Sequence, residues 1–273
     1  MALKVKDIDE TQAPLLDHLV ELRARLVRSV LALIIAFGVC LYFADHIFGF
    51  LVQPLVKAYP DGDGRLIYTA LYEAFFVEIK VAIFAAFCVS FPIIANQLWA
   101  FIAPGLYANE KRAFLPFLLA TPLLFTLGAA LAYYVVMPIA FEWFLSFEGD
   151  TGGITQEALP AMGQYLSLVM QFILAFGICF LLPVLLLLLN RAGIVGRKEL
   201  ARYRRYVIVA AVIVAAVLTP PDPVSQLLLA TPLLLLFEIS LILMWFTDRK
   251  KAKEEAQEEA AENEPAVEKP AEG

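Results

Sequence analysis

The sequence predicts an all-α, polytopic integral membrane protein: six transmembrane helices forming a concave bundle whose last two helices are short. Three observations lead there. Of the 273 residues, 61% are hydrophobic and only 18% charged, with a mean hydropathy of +0.75, whereas a water-soluble domain holds roughly 45–50% apolar and about a quarter charged residues. Apolar runs of crossing length recur six times along the chain, and an α-helix satisfies all of its backbone polar groups within one segment when water is absent. The basic residues, finally, are distributed very unevenly between the connecting segments.

A crossing helix needs roughly 20 apolar residues; the runs cover 27–46, 74–98, 113–138, 163–189, 206–219 and 224–246. Ahead of the first, LLDHLVELRARL places Leu15, Leu19, Leu22 and Leu26 on a helical period, with Asp17, Glu21, Arg23 and Arg25 on the polar side. That is the pattern of an amphipathic interfacial helix, so residues 1–26 read as an N-terminal segment rather than a cleaved leader. Pro92, Pro116, Pro122, Pro138, Pro183 and Pro232 lie in or near the runs. Each removes a helical hydrogen bond and bends its helix, which favours a concave body. The fifth run is unusual, because its apolar part from Tyr206 to Leu218 reaches only about 20 Å across a core of about 30 Å. It ends at Thr219-Pro220-Pro221-Asp222-Pro223, which forbids helix continuation and forces a tight turn into the sixth run. A short hairpin of this kind thins the bilayer locally or packs against its neighbours. After the membrane domain, 27–246, the tail 247–273 carries nine acids and five bases and reads as a disordered acidic extension.

Basic residues resist translocation and collect in cytoplasmic loops. Here 18 of the 21 lie in the N-terminal segment, the loops after the second and fourth runs, and the tail. The opposite loops hold Lys57 and Arg65, and Phe141 to Pro160 is purely acidic. Both termini are therefore expected in the cytoplasm. The formal charge of −6 leaves no basic surface for nucleic acid. Cys40, Cys88 and Cys179 have neither metal nor disulfide spacing, and His18 and His46 form no HExxH pair. No metal and no cofactor is expected. Among ionisable groups within the runs, Glu78 and Lys80 lie near the outer end of the second, close to Glu73. Glu238 lies near the middle of the sixth, where a carboxylate protonates or finds a donor on a facing helix. Gln171 and Gln226 are expected to hydrogen-bond between helices.

On the basic side, LWAFIAPGLYANEKR places Trp99, Phe101 and Tyr107 next to Glu110. Carboxylates beside aromatic rings suit an arginine ligand, because a guanidinium takes forked hydrogen bonds from carboxylate and stacks on rings. Aromatic belts and charged rims are also ordinary at membrane interfaces. The strings HLVELRARL at 18–26, FPIIANQLWAFIAPGLYANEKR at 91–112 and LTPPDPVSQ at 218–226 resemble, in this order and spacing, the multispanning C subunit (TatC) family of the twin-arginine protein translocase. The resemblance covers roughly 15–247.

The resemblance implies a core receptor in the cytoplasmic membrane of a prokaryote, which binds the paired arginines of signal peptides on folded cargo. Glu110 corresponds to the family's acidic contact, Phe101 to its neighbouring aromatic and Pro92 to the proline of that region. Glu21 and Arg23 match important N-terminal positions, with Glu21 as a second carboxylate. Asp222 matches an aspartate of the outer turn, and Thr219 and Gln226 fall where the family meets single-span partner subunits of TatA and TatB type. Glu238 is a further candidate for packing or coupling. A homo-oligomer within the complex, and export driven by the proton gradient, are implied in the same way. One departure is Leu181, where relatives carry a glutamate two residues before the proline of the fourth span. Taken apart from the resemblance, bent helices with intramembrane acids also suit a proton- or ion-coupled solute transporter, although no internal repeat is evident. An intramembrane hydrolase finds no GxSxG, HExxH or facing pair of aspartates, so no enzymatic activity is expected.

Overall fold

A computed structural model describes residues 8–59, 64–106, 111–191, 193–219 and 222–262. The chain runs through α1 (Ile8–Tyr42), α2 (Ala44–Ala58), α3 (Glu73–Leu106) and α4 (Lys111–Leu131), which continues by a π-helical segment (Ala132–Val136) into α5 (Met137–Leu145). A small antiparallel hairpin, β1 (Gly149–Thr151) and β2 (Ile154–Gln156), precedes α6 (Met162–Cys179) and α7 (Leu182–Arg191). The short α8 (Arg197–Arg202) leads into α9 (Arg204–Leu218) and α10 (Pro223–Glu262). The fold is all-α. Among the described residues, five stretches are long and apolar enough to cross a membrane: His18–Tyr42, Glu73–Phe101, Phe117–Leu145, Met162–Arg191 and Pro223–Arg249. The fifth apolar run is α9, whose 15 residues extend only about 22 Å.

Proline explains two of the breaks. Pro138 has no N–H for the carbonyl of Tyr134, and just before it the Met137 N–H reaches back five residues to the Ala132 carbonyl. Pro183 likewise leaves the Cys179 carbonyl without its helical donor, and the helix ends there, turning through Phe180 and Leu181 before α7 begins. Two stretches run on further than composition suggested. The N-terminal segment expected as a separate interfacial helix is the start of α1, which continues to Tyr42 because no proline or glycine interrupts Leu15 to Phe37. The tail expected to be disordered is helical as far as Glu262. Its alanines, lysines and glutamates are strong helix formers, which the lack of apolar surface does not reveal. Residues 263–273 lie outside the described residues.

The bundle has two faces. The basic face carries the start of the first crossing stretch, the end of α3, and the arginines from Arg191 to Arg205; the hairpin face carries α2, the β-hairpin and the turn between α9 and α10. Near the hairpin face the core joins Leu51 and Leu55 of α2 to Val81, Met137, Phe141, Leu166 and Phe172. α2 is tied down there by Tyr133, whose hydroxyl donates to the Phe50 carbonyl (2.6 Å), and by Tyr165, which donates to that of Leu51 (2.9 Å). Tyr59 donates to the Ala158 carbonyl (3.2 Å); burial and the neighbouring Glu148 and Glu157 carboxylates push its hydroxyl above the usual tyrosine range, so the proton stays in place for that bond. Between helices in lipid, association depends on close van der Waals contact. α4 and α6 approach closely through two glycines: a Cβ on Gly128 would collide with the Phe176 carbonyl oxygen, and one on Gly177 would lie 2.6 Å from the Phe125 ring.

Candidate functional site

At the basic face, α1 lies along α3 and brings two sequence-predicted site residues, Glu21 and Phe101, into one cluster. Glu21 and Arg25 are one turn apart on α1, so they share a face. Both the Nε (2.9 Å) and a terminal nitrogen (2.6 Å) of Arg25 donate to Glu21 Oε1. The other carboxylate oxygen is 4.0 Å from His18 Nδ1. The His18 ring in turn stacks on Phe101 from α3, with centroids 4.3 Å apart and planes inclined by 18°. Phe101 is held at this level because Trp99 Nε1, two residues earlier, donates to Thr121 Oγ1 on α4 (2.8 Å). Glu21 and Phe101 thus share a site, joined by His18. Arg23 is exposed and stands about 200° around α1 from Glu21, so the two do not act on one face. Pro92 is also exposed, and lies about 13 Å along α3 from Phe101. Glu110 lies outside the described residues.

The turn on the hairpin face is a second cluster. Asp222 caps α10, its Oδ1 accepting the Ser225 N–H (2.7 Å), and Pro223 occupies the first helical position, where its missing N–H costs nothing. Asp222 Oδ2 and Ser225 Oγ are buried without a hydrogen-bond partner among the described residues. Thr219 is buried and donates to the Ala215 carbonyl (2.9 Å). Gln226 makes the expected interhelical bond, from Nε2 to the Val212 carbonyl of α9 (3.3 Å). Thr219, Asp222 and Gln226 therefore belong to one tip.

Glu238 is remote from this tip. Its Oε2 accepts a hydrogen bond from Arg204 (2.8 Å), the first residue of α9. The pair is half exposed, at 46% and 53%. Of the two fates open to that carboxylate, it has found a donor, and it lies about 22 Å along α10 from Pro223, level with the end of the short hairpin rather than in mid-span.

A groove of about 810 Å³ opens between α1, α3, α6 and α9, apolar except for Lys80, Ser167 and Gln171. Gln171 is exposed into it and forms no side-chain hydrogen bond among the described residues, unlike the expected interhelical contact. No ion pair among the described residues involves Lys80. Leu181 packs against the aromatic cluster of Phe91 and Phe125, whose rings stack at 3.8 Å. An apolar side chain suits that position as found. The three cysteines are free. No cluster of metal-ligating groups occurs among the described residues.

Sequence reasoning passed over Arg25, Arg204 and the stacking role of His18. The spacing of Glu21 and Arg25 was a usable signal; the meetings of His18 with Phe101 and of Arg204 with Glu238 depend on how helices distant in sequence pack.

A family model described as Sec-independent protein translocase protein (TatC) matches residues 17–232. A TatC protein of Magnetococcus marinus is 50% identical over 251 residues, covering 92% of this chain and 91% of its own length. That of Escherichia coli strain K12 is 39% identical, over 88% and 90%. A crystal structure of the twin-arginine translocase receptor TatC, in DDM, superposes with a TM-score of 0.74 at 42% identity, covering 83% of this chain and 98% of that one. A multi-pass membrane helix bundle, a conforming family model and relatives named throughout as translocase proteins agree: this chain belongs to the TatC family and is a membrane-embedded protein-transport component, not an enzyme.

Proposed function

We propose that this chain is the core receptor of a twin-arginine translocation system, with its basic face and both termini in the cytoplasm of a prokaryote. Residues 1–26 and 247–273 flank the membrane domain 27–246 on that side. The signal peptide's two guanidiniums are taken by the carboxylates of Glu21 and Glu110, with Phe101 as the stacking surface; Arg23, on another side of α1, and Pro92, farther along α3, touch the peptide outside this pair. The observation that carries this reading is the state of Glu21, which already accepts a forked guanidinium beside a stacked planar ring on Phe101. The site is thus chemically competent for arginine. The solved relatives are themselves described as twin-arginine translocase receptors.

Single-span partner subunits of TatA and TatB type dock on the hairpin. Thr219, Asp222 and Gln226 supply the contact, and Glu238, anchored by Arg204, holds the hairpin's other end. The unsatisfied oxygens of Asp222 and Ser225 support this assignment, because buried polar atoms call for a donor or acceptor. Export draws on the proton gradient, and the receptor works as a homo-oligomer within the complex. The test is site-specific photocrosslinking of a twin-arginine signal peptide to the chain in membranes. Glu110→Ala is expected to abolish the crosslink while the protein still accumulates and folds; undiminished crosslinking removes the assignment.

A further inference from the structure

We infer that Arg25 and His18 form an internal stand-in for the ligand, so that peptide binding at the basic face is an exchange, and Arg25 sets the threshold an incoming pair of cations must exceed. This deepens the receptor reading and rests on it.

The geometry is specific. Glu21 Oε1 holds both donors of the Arg25 fork, at 2.9 and 2.6 Å. Oε2 faces His18 Nδ1 at 4.0 Å. The His18 imidazole lies nearly parallel to Phe101 at 4.3 Å, which leaves no room for a guanidinium between the rings. One carboxylate oxygen and the aromatic face are thus occupied by planar, nitrogen-bearing side chains from α1. A ladder of Glu and Arg one turn apart is common on helices, and it does not require a third group on the opposite helix. Here His18 links the pair to α3, and the Arg25 side chain is only 21% exposed against 53% for Arg204 in the other arginine pair.

A guanidinium from a peptide replaces the fork bond for bond. An ammonium is a point charge that cannot reproduce it, so a lysine pair gains less than it displaces. Exclusion of weak cationic sequences then follows from a competitor built into the receptor, in addition to what the site offers the ligand. Because the competitor is the same for every peptide, weakening it raises all affinities by one factor.

The experiment measures binding of two labelled peptides, identical except for an arginine or a lysine pair, to the full chain in nanodiscs. The receptors are the wild type, Arg25→Lys, Arg25→Gln, His18→Gln and Arg28→Gln, each checked for folding by its thermal transition. Arg25→Lys keeps the charge and loses the fork; it is expected to tighten both peptides about threefold with their ratio unchanged, the range an exposed ion pair commands. Arg25→Gln and His18→Gln are expected to move both in the same direction. Arg28→Gln controls for charge alone and is expected to give a smaller change than Arg25→Gln. Unchanged or weaker binding by Arg25→Lys overturns the inference and makes Arg25 a support for Glu21. A wild type that binds both peptides equally brings down the receptor reading itself, and the inference with it.

Discussion

Glu238 and Arg204 illustrate how the cost of a charge near lipid is met by one partner. A carboxylate in hydrocarbon costs a few kcal/mol on insertion scales, yet here it has a guanidinium at 2.8 Å and partial exposure. A double-mutant cycle of Arg204→Gln and Glu238→Gln, read from thermal unfolding in detergent, is expected to give a coupling of about 0.2–1 kcal/mol, as for exposed pairs. A coupling near zero would mean that the pair contributes nothing to the stability of the fold. Gly128 is constrained by sterics instead. Gly128→Val must push α4 from the Phe176 backbone, and overpacking of this kind costs about 1–3 kcal/mol; a distinct fall in the melting temperature is expected. Some of this scale was legible beforehand. The Glu21 and Arg25 spacing follows from 3.6 residues per turn, whereas nothing local to Gly128 or Phe101 reveals which backbone or ring will face it.

The hairpin of α9 and α10 joins a short helix to a long one. Val214 and Leu218 line the same groove as Lys80 and Ser167, which lie about 10 Å along α3 from Glu73 and about 8 Å along α6 from Met162. The tip is accordingly recessed from that face, and the mismatch expected from the short fifth run is met on the side that bears Asp222. Inserting Leu-Ala-Leu-Ala after Val214 adds about 6 Å and lifts the tip. The expected outcome is loss of co-purifying single-span partners and of export in cells, at unchanged protein level. Full export by the lengthened chain would show that the recess is dispensable. The shortness was evident from counting apolar residues; the side on which it is absorbed depended on which neighbours α9 packs against.

Across the whole molecule, the uneven placement of bases makes a topological prediction. In a variant without Cys40, Cys88 and Cys179, a membrane-impermeant thiol reagent is expected to label Thr155→Cys, on the β-hairpin, in intact cells. Ala252→Cys, on the far extension of α10, is expected to react only after the membrane is opened. The reverse pattern would place the basic face outside and remove the cytoplasmic arginine site. The groove containing Lys80 belongs to this scale too, because four helices, α1, α3, α6 and α9, form it.

By itself the sequence determined the environment, the helical class and the resemblance to TatC, since hydropathy, backbone donors and local spacing are properties of contiguous residues. Tertiary structure decided which of the predicted site residues share a face. Glu21 and Phe101 meet through His18; Thr219, Asp222 and Gln226 meet at one recessed tip; Arg23 and Pro92 stand apart from both. Those outcomes depend on the rotation and register of packed helices, and a single residue's shift turns a side chain by about 100°, more than any periodicity in the sequence fixes.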